Sequence, residues 1–260
     1  MSGKRGLVMG VANDHSIAWG IAKALAGEGA ELAFTFQSDA LGKRVAPLAK
    51  AIGAAHLLPC DVEDLASVDV VFSALGAAWG SLDFLVHCIG FSDRNELKGR
   101  YADTSRENFI RTMVISAFSF TEIAKRAASM MPSGGAMLTL TFGGATRVVP
   151  NYNVMGIAKA ALEASVRYLA ADFGPENIRV NAISAGPIRT LAGAGIADAR
   201  FMFNFQRTHS PLRRTVTIEN IGGAALYLLS SLSDGVTGEV HFVDAGYNIV
   251  SMPRPDEIKN

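Results

Sequence analysis

The sequence predicts one α/β domain: a doubly wound parallel sheet of about seven strands, with helices on both faces and a helical lid. Three observations lead there. Short apolar runs rich in branched residues recur without two-residue alternation, as expected of strands buried on both faces. Longer segments with helical spacing separate them. No proline-rich or polar linker divides the 260 residues, so a single domain over 1–260 is the economical reading.

The elements follow in order. Residues 5–9 form the first strand. In 16–28, Ile17, Ile21 and Leu25 recur every four residues, the mark of an amphipathic helix. Residues 31–36, 56–60 and 82–88 are the next strands, and 112–130 is a long apolar helix before a strand at 136–141. In 152–173, Val154, Ala158, Ala161, Ser165 and Leu169 make one stripe, thickened by Leu162, Val166 and Phe173. A strand at 179–184 is followed by AGPIRTLAGAGIADARFMFNFQRTHSPLRR, a strandless stretch of lid length, with the lid at about 188–214. Residues 217–230 give the last helix and 239–243 the last strand. Strands alternating with helices are joined by right-handed crossovers.

Composition narrows the function. Hydrophobic residues are 49% and charged residues 18%, which excludes intrinsic disorder. Lysine plus arginine equals aspartate plus glutamate at 24 each, so the positive excess of a nucleic-acid binder is missing. Two cysteines build no disulfide framework, no apolar leader precedes the first turn, and no apolar run reaches membrane-span length. A cytoplasmic protein without a membrane span is expected. The five histidines show no ligand spacing, so no metal site is expected.

The first strand runs into Gly10-Val11-Ala12-Asn13-Asp14-His15-Ser16, with Gly20 in the following helix. Alanine at 12 breaks the G-x-G-x-x-G pattern, but strand, tight turn and helix start are in the right order. Ser16 is an N-cap candidate, and the free amides of the first helical turn suit a pyrophosphate. A plain βα turn explains the same residues. The second strand ends at Gln37, where NAD-binding folds often carry an acidic residue; no arginine stands there for a 2′-phosphate, which favours NADH over NADPH. Asp61 and Val62 end the third strand, where an adenine would rest; Asp61 as a cap for a helix at Glu63 is the competing reading. Gly90, after His87-Cys88-Ile89, permits close backbone approach. Cys60 and Cys88 are buried small hydrophobes.

Tyr152 and Lys159 stand seven residues apart, close to two helical turns, and so share a face. The lysine leans toward the helix N-terminus, bringing a cation toward a phenol that would work as acid or donor. An ordinary amphipathic tyrosine and a surface lysine have the same spacing.

With Tyr-x6-Lys, the turn from Gly10 to Gly20 and VNAISAGPIRTLA, the chain resembles the bacterial NADH-dependent enoyl-[acyl-carrier-protein] reductases. These are a divergent branch of the short-chain dehydrogenase/reductase superfamily. The resemblance covers essentially the whole chain, including ELAFTFQ, CDVED, HCIGFS, NYNVMGIAKAALEASVRYLA and SPLRRTVTIEN. It implies a Rossmann-type domain that reduces the trans-2 double bond of an enoyl thioester on acyl-carrier protein, in type II fatty acid elongation. It also implies a homo-oligomer, usually a tetramer. Gly10, Ser16 and Ile17 would hold the pyrophosphate, Gln37 the adenosine ribose, Asp61 and Val62 the adenine. Ile89 would pack beside the cofactor, Lys159 would bind the nicotinamide ribose, and Ile188, Thr190 and Ala192 would line the nicotinamide pocket. Ser92, Phe142 and Tyr152 would face the substrate, with Tyr152 donating to the thioester oxygen.

Two departures stand out. The wider superfamily uses Tyr-x3-Lys, but here that position is Gly156, which disfavours a carbonyl reductase. Many family members carry a second tyrosine ten residues before the first, where this chain has Phe142. The predicted lid helix carries Arg200 and Arg207 but is less basic than an acidic carrier protein would favour, with Ala197, Asp198 and Phe201 among them. A different NAD(P)-dependent reductase of the superfamily, or a cofactor-binding paralogue without turnover, are the alternatives.

Overall fold

The computed structural model describes residues 1–190 and 199–252. Its seven strands are β1 (Arg5–Met9), β2 (Glu31–Phe36), β3 (His56–Pro59), β4 (Phe84–His87), β5 (Gly135–Phe142), β6 (Ile178–Ala185) and β7 (Val240–Val243). All neighbours pair in parallel, in the order β3-β2-β1-β4-β5-β6-β7. Burial on both faces explains the unalternating runs: Leu7, Val8, Leu85 and Val86 are fully enclosed.

The helices are α1 (Ile17–Gly27), α2 (Asp39–Ala51), α3 (Leu65–Trp79), α4 (Arg106–Met113), α5 (Ser119–Ala128), α6 (Asn153–Phe173), α7 (Ala199–His209) and α8 (Ile218–Leu229). They divide the core in two. Val71, Phe72, Phe120, Ile123, Leu162 and Val166 fill one face from α3, α5 and α6. Ile21, Leu25, Val45, Ile221 and Leu228 fill the other from α1, α2 and α8. The chain winds outward from β1 to β3 and returns to β4 on the other side of β1. The carboxyl ends of β1 and β4 therefore flank the switch point, where open α/β sheets bind ligands.

Two expectations change, and a third gains its cap. The apolar stretch 112–130 is not one helix: α4 starts earlier, capped by Ser105 accepting from Asn108 N at 3.1 Å, and a π turn at Val114–Phe118 separates it from α5. The apolar face continues across that turn, so spacing alone could not reveal it. The buried face of α6 is rotated from the predicted stripe: Lys159 and Glu163 lie inside it, while Ala161 and Ser165 are only partly covered. α8 begins with a full capping box, Thr217 and Asn220 exchanging side-chain to backbone bonds.

Candidate active site

The site starts at the switch point. Gly10 has φ +96°, and a Cβ there would lie 2.1 Å from the Cys88 carbonyl oxygen, so only glycine lets β1 turn this close to β4. Ser16 occupies the N-cap position of α1 but does not cap it. Its Oγ turns back and accepts from Ala12 N and Asn13 N, both at 3.0 Å. The hydroxyl stiffens the turn and leaves the first amides of α1 to a ligand, as an anion site at a helix N-terminus requires. Ile17 follows, partly buried against the core.

At the ends of β2 and β3, Gln37 Nε2 donates to Asp61 Oδ2 at 3.2 Å. Asp61 does not cap a helix at Glu63; it accepts from Glu63 N in a tight turn, and Asp64 caps α3 through Ala66 N. The Asp61 carboxylate beside Gln37 opposes a 2′-phosphate by like charge. Lys43 and Arg44 are exposed on α2. Val62 is buried in the core, so its side chain is committed to packing and its backbone is what a base could meet.

Lys159 is no surface residue. It is 8% exposed, and its Nζ donates to the Leu140 carbonyl at 2.7 Å. A Cβ on Gly90 would lie 3.6 Å from Met155 Cε, 3.8 Å from Ser116 Oγ and 3.9 Å from Lys159 Nζ. The ammonium therefore sits at the carboxyl ends of β4 and β5, beside the bare backbone of Gly90. Burial pushes it down from 10.5 to about 8, with Cys88 and Glu163 opposing the shift. Ile89 packs against the core next to Gly90.

Tyr152 does not lie inside the helix. It is the N-cap residue of α6, between two left-handed residues, Asn151 at φ 59° and Asn153 at φ 33°. That strained turn holds the phenol at the helix start. Its ring stacks edge-on against Phe142, centroids 5.1 Å apart, and covers Gly144, where a Cβ would come 2.5 Å from Cδ1. Burial alone acts on the phenol and raises it. The expected help from a neighbouring cation is therefore not what tunes it: Tyr152 keeps its proton, as a hydrogen-bond donor must. Gly156 also has a physical reason. A Cβ there would lie 2.8 Å from the Gly144 carbonyl, leaving no room for a lysine four residues after the tyrosine.

The chain has relatives along its whole length. A family model described as enoyl-(acyl carrier protein) reductase matches residues 10–248. The chain belongs to the enoyl-(acyl carrier protein) reductase family. Enoyl-[acyl-carrier-protein] reductase [NADH] 2 of Rhizobium meliloti is 72% identical over 259 residues, spanning 100% of this chain and 97% of that protein. The crystal structure of FabI from Candidatus Liberibacter asiaticus superposes with a TM-score of 0.96 at 61% identity, covering 97% of this chain and 98% of that one. The Anaplasma phagocytophilum reductase in complex with NAD gives 0.95 at 57% identity, covering 98% and 97%.

Within this reductase, the remaining expected residues divide. The Ser92 hydroxyl is turned into the protein: it accepts from Thr112 Oγ1 at 3.0 Å and Asn108 Nδ2 at 3.2 Å. It ties the loop after β4 to α4, so its hydroxyl is not free to face a substrate. Phe142 does lie against Tyr152, partly exposed. Ile188 is partly buried against the core and Thr190 N bonds its carbonyl at 2.8 Å; Ala192 lies outside the described residues, as do 191–198 of the expected lid. α7 falls within the described part of the expected lid. A cavity of about 570 Å³ runs from Asp14 and His15 to Ile188, Phe203 and Arg207; Tyr152 and Lys159 are not in its lining.

Sequence reading missed Ser116, Asn153 and Glu163. Ser116 Oγ accepts from Phe91 N and donates to Phe91 O, both at 2.9 Å, from the π turn that spacing cannot reveal. Asn153 Nδ2 bonds the carbonyls of Glu96 and Gly99, each at 3.3 Å, pinning the loop after β4 to the Tyr152 turn. Glu163 had a readable signal, a carboxylate one turn after Lys159.

Proposed function

We propose that the chain catalyses NADH-dependent reduction of the trans-2 double bond of enoyl-acyl-carrier-protein thioesters in type II fatty acid elongation. The observation that carries the reading is the buried Tyr152 and Lys159, held at the carboxyl edge of β4 and β5 in a chain of this family. The residues fit the cofactor. Gly10 admits close approach, the α1 amides beside Ser16 and Ile17 would hold the pyrophosphate, and Gln37, Asp61 and the Val62 backbone would meet the adenosine half. Ile89, Ile188 and Thr190 would flank the nicotinamide. When bound, NADH supplies the hydride that adds to the β-carbon.

The protein's part is electrostatic. As the double bond is reduced, negative charge develops on the thioester oxygen. Tyr152, protonated by its burial, donates to that oxygen where the charge appears, and such a donor lowers the barrier without reorganising. Lys159 has three N–H donors, and Leu140 takes one; the others can hold the nicotinamide ribose hydroxyls. Phe142 offers a ring and no second donor, which leaves Tyr152 as the phenol at the oxygen.

The protein is read as cytoplasmic, with acyl-carrier protein approaching over α7, where Arg200 and Arg207 stand. A homo-oligomer, a tetramer by family habit, is supported by apolar side chains exposed on α4, the π turn and α6: Ile110, Phe118, Ile157 and Tyr168. Among the described residues no helix is long and apolar enough to cross a membrane. The deciding experiment follows cofactor absorbance with crotonyl and ketoacyl thioesters, using NADH and NADPH in turn. Turnover of the enoyl substrate with NADH supports the reading. Turnover of the ketoacyl substrate alone would make this a carbonyl reductase, and NADH binding with neither turnover an inactive paralogue.

A further inference from the structure

Lys159 is a cation in the protein interior whose hydrogen-bond partner, Leu140, is a neutral carbonyl. A buried charge is costly unless another balances it. Among the described residues two carboxylates are buried, Glu163 and Asp244. Asp244 is engaged by its own loop, accepting from Gly246 N at 2.9 Å and Asn248 N at 2.8 Å. Glu163 is 8% exposed, as Lys159 is, and follows it by one helical turn on the buried face of α6. Side chains so spaced on a helix start about 6 Å apart. Adjacent residues of β5 receive the two: Leu140 takes the lysine's N–H, and Thr141 Oγ1 donates to Glu163 Oε1 at 2.7 Å.

We propose that Glu163 is a positioning residue for the reaction, the buried counter-charge that keeps the Lys159 ammonium protonated and fixed at the end of β5. This rests on the role given to Lys159. The other titratable groups around the pair do not substitute for it. Cys88, at the end of β4, supports the ammonium only as a thiolate, and burial pushes it up to about 12, so near neutral pH it is a neutral thiol. His87 on β4 is held neutral, pushed down to about 3 by burial and then by Lys159. Arg167 on α6 acts on Glu163 from the far side and donates to its main-chain carbonyl at 3.1 Å. β5 and the π turn face the pair with hydroxyls, Thr141 and Ser116. Burial raises the Glu163 carboxyl, and Thr141, Arg167 and Lys159 oppose that rise, so the carboxylate and the ammonium support each other's charge.

The test is NADH affinity as a function of pH, read by fluorescence on the purified full-length chain, together with a melting curve at each pH. In the parent protein affinity should hold below about pH 8 and fall above it, as the free Lys159 loses its proton. In Glu163→Gln the fall should begin about one pH unit lower, so that affinity near pH 8 drops about fivefold. Glu163→Asp, which keeps the charge, should restore most of the parent profile. Should Glu163→Gln not fold, Thr141→Val removes the hydroxyl that holds the carboxylate and should move the fall in the same direction by less. A purely structural Glu163 would lower the melting temperature and leave the pH of the fall where it was, and that outcome overturns the proposal. An affinity that stays flat through this range in the parent protein removes Lys159 from the cofactor, and the proposal with it.

Discussion

Burial acts on Tyr152 and Lys159 in opposite directions and suits both to one reaction. The phenol is raised, so it remains an O–H donor at neutral pH. The ammonium is lowered to about 8, so it remains charged there by a narrow margin. Separate kinetic signatures follow. Tyr152→Phe should lower kcat by about a hundredfold, the loss of one transition-state donor worth about 3 kcal/mol, with NADH affinity nearly unchanged. Full retention of activity on a crotonyl thioester would remove Tyr152 from the oxygen. Lys159→Met keeps the apolar stem and deletes the charge, and should weaken NADH binding by about 1.5–3 kcal/mol in a direct titration. Equal affinity in parent and variant would return Lys159 to a structural role. The spacing of these two residues was visible in the sequence. Their environments were not, because the Leu140 carbonyl, the Gly144 turn and the left-handed Asn151 and Asn153 come from distant or conformational features that no periodicity carries.

At the scale of elements, α1 and α8 are in close backbone contact. A Cβ on Gly20 would lie 2.4 Å from the Ile218 carbonyl, and one on Gly222 would lie 2.6 Å from the Gly20 carbonyl. The glycine that follows the turn proposed for the pyrophosphate thus packs α1 against α8, which fixes where the α1 amides point. Gly20→Ala should cost about 1–3 kcal/mol of stability through overpacking, measured by chemical denaturation. NADH binding should weaken too as α1 shifts. An unperturbed denaturation midpoint would mean that the two helices separate freely. Strands were legible element by element because buried parallel strands write themselves as unbroken apolar runs, and β2 matches its expected bounds. The π turn was illegible, since Val114–Phe118 keeps apolar residues on both sides. So was the Ser16 hydroxyl, since a serine at a helix start looks the same whether it caps forward or braces the turn behind it.

Across the whole molecule, β4 joins both halves of the sheet and carries a fully enclosed titratable group. His87 is fully buried between Thr139 Oγ1 on β5, 3.3 Å away, and Ser119 Oγ on α5, at 3.0 Å. In the unfolded chain this imidazole takes a proton near pH 6.5, but in the folded one not until about 3. Between those values the unfolded state holds more protons, so stability falls as the pH falls, by up to about 1.4 kcal/mol per unit from this group. Urea midpoints from neutral pH downward should drop less steeply in His87→Asn than in the parent; parallel slopes would mean that His87 is protonated in the fold. The sheet order and the reversal beside β1 place ligands at one edge, and the family's chemistry requires the β-carbon of an enoyl thioester to be the atom reduced there. Nicotinamide cofactor deuterated at both C4 positions reports that atom directly. Incubated with the chain and a crotonyl thioester, it should give a butyryl product carrying one deuterium, at the β-carbon. Deuterium at the carbonyl carbon, or an alcohol in place of the saturated thioester, would contradict reduction of the double bond at Tyr152.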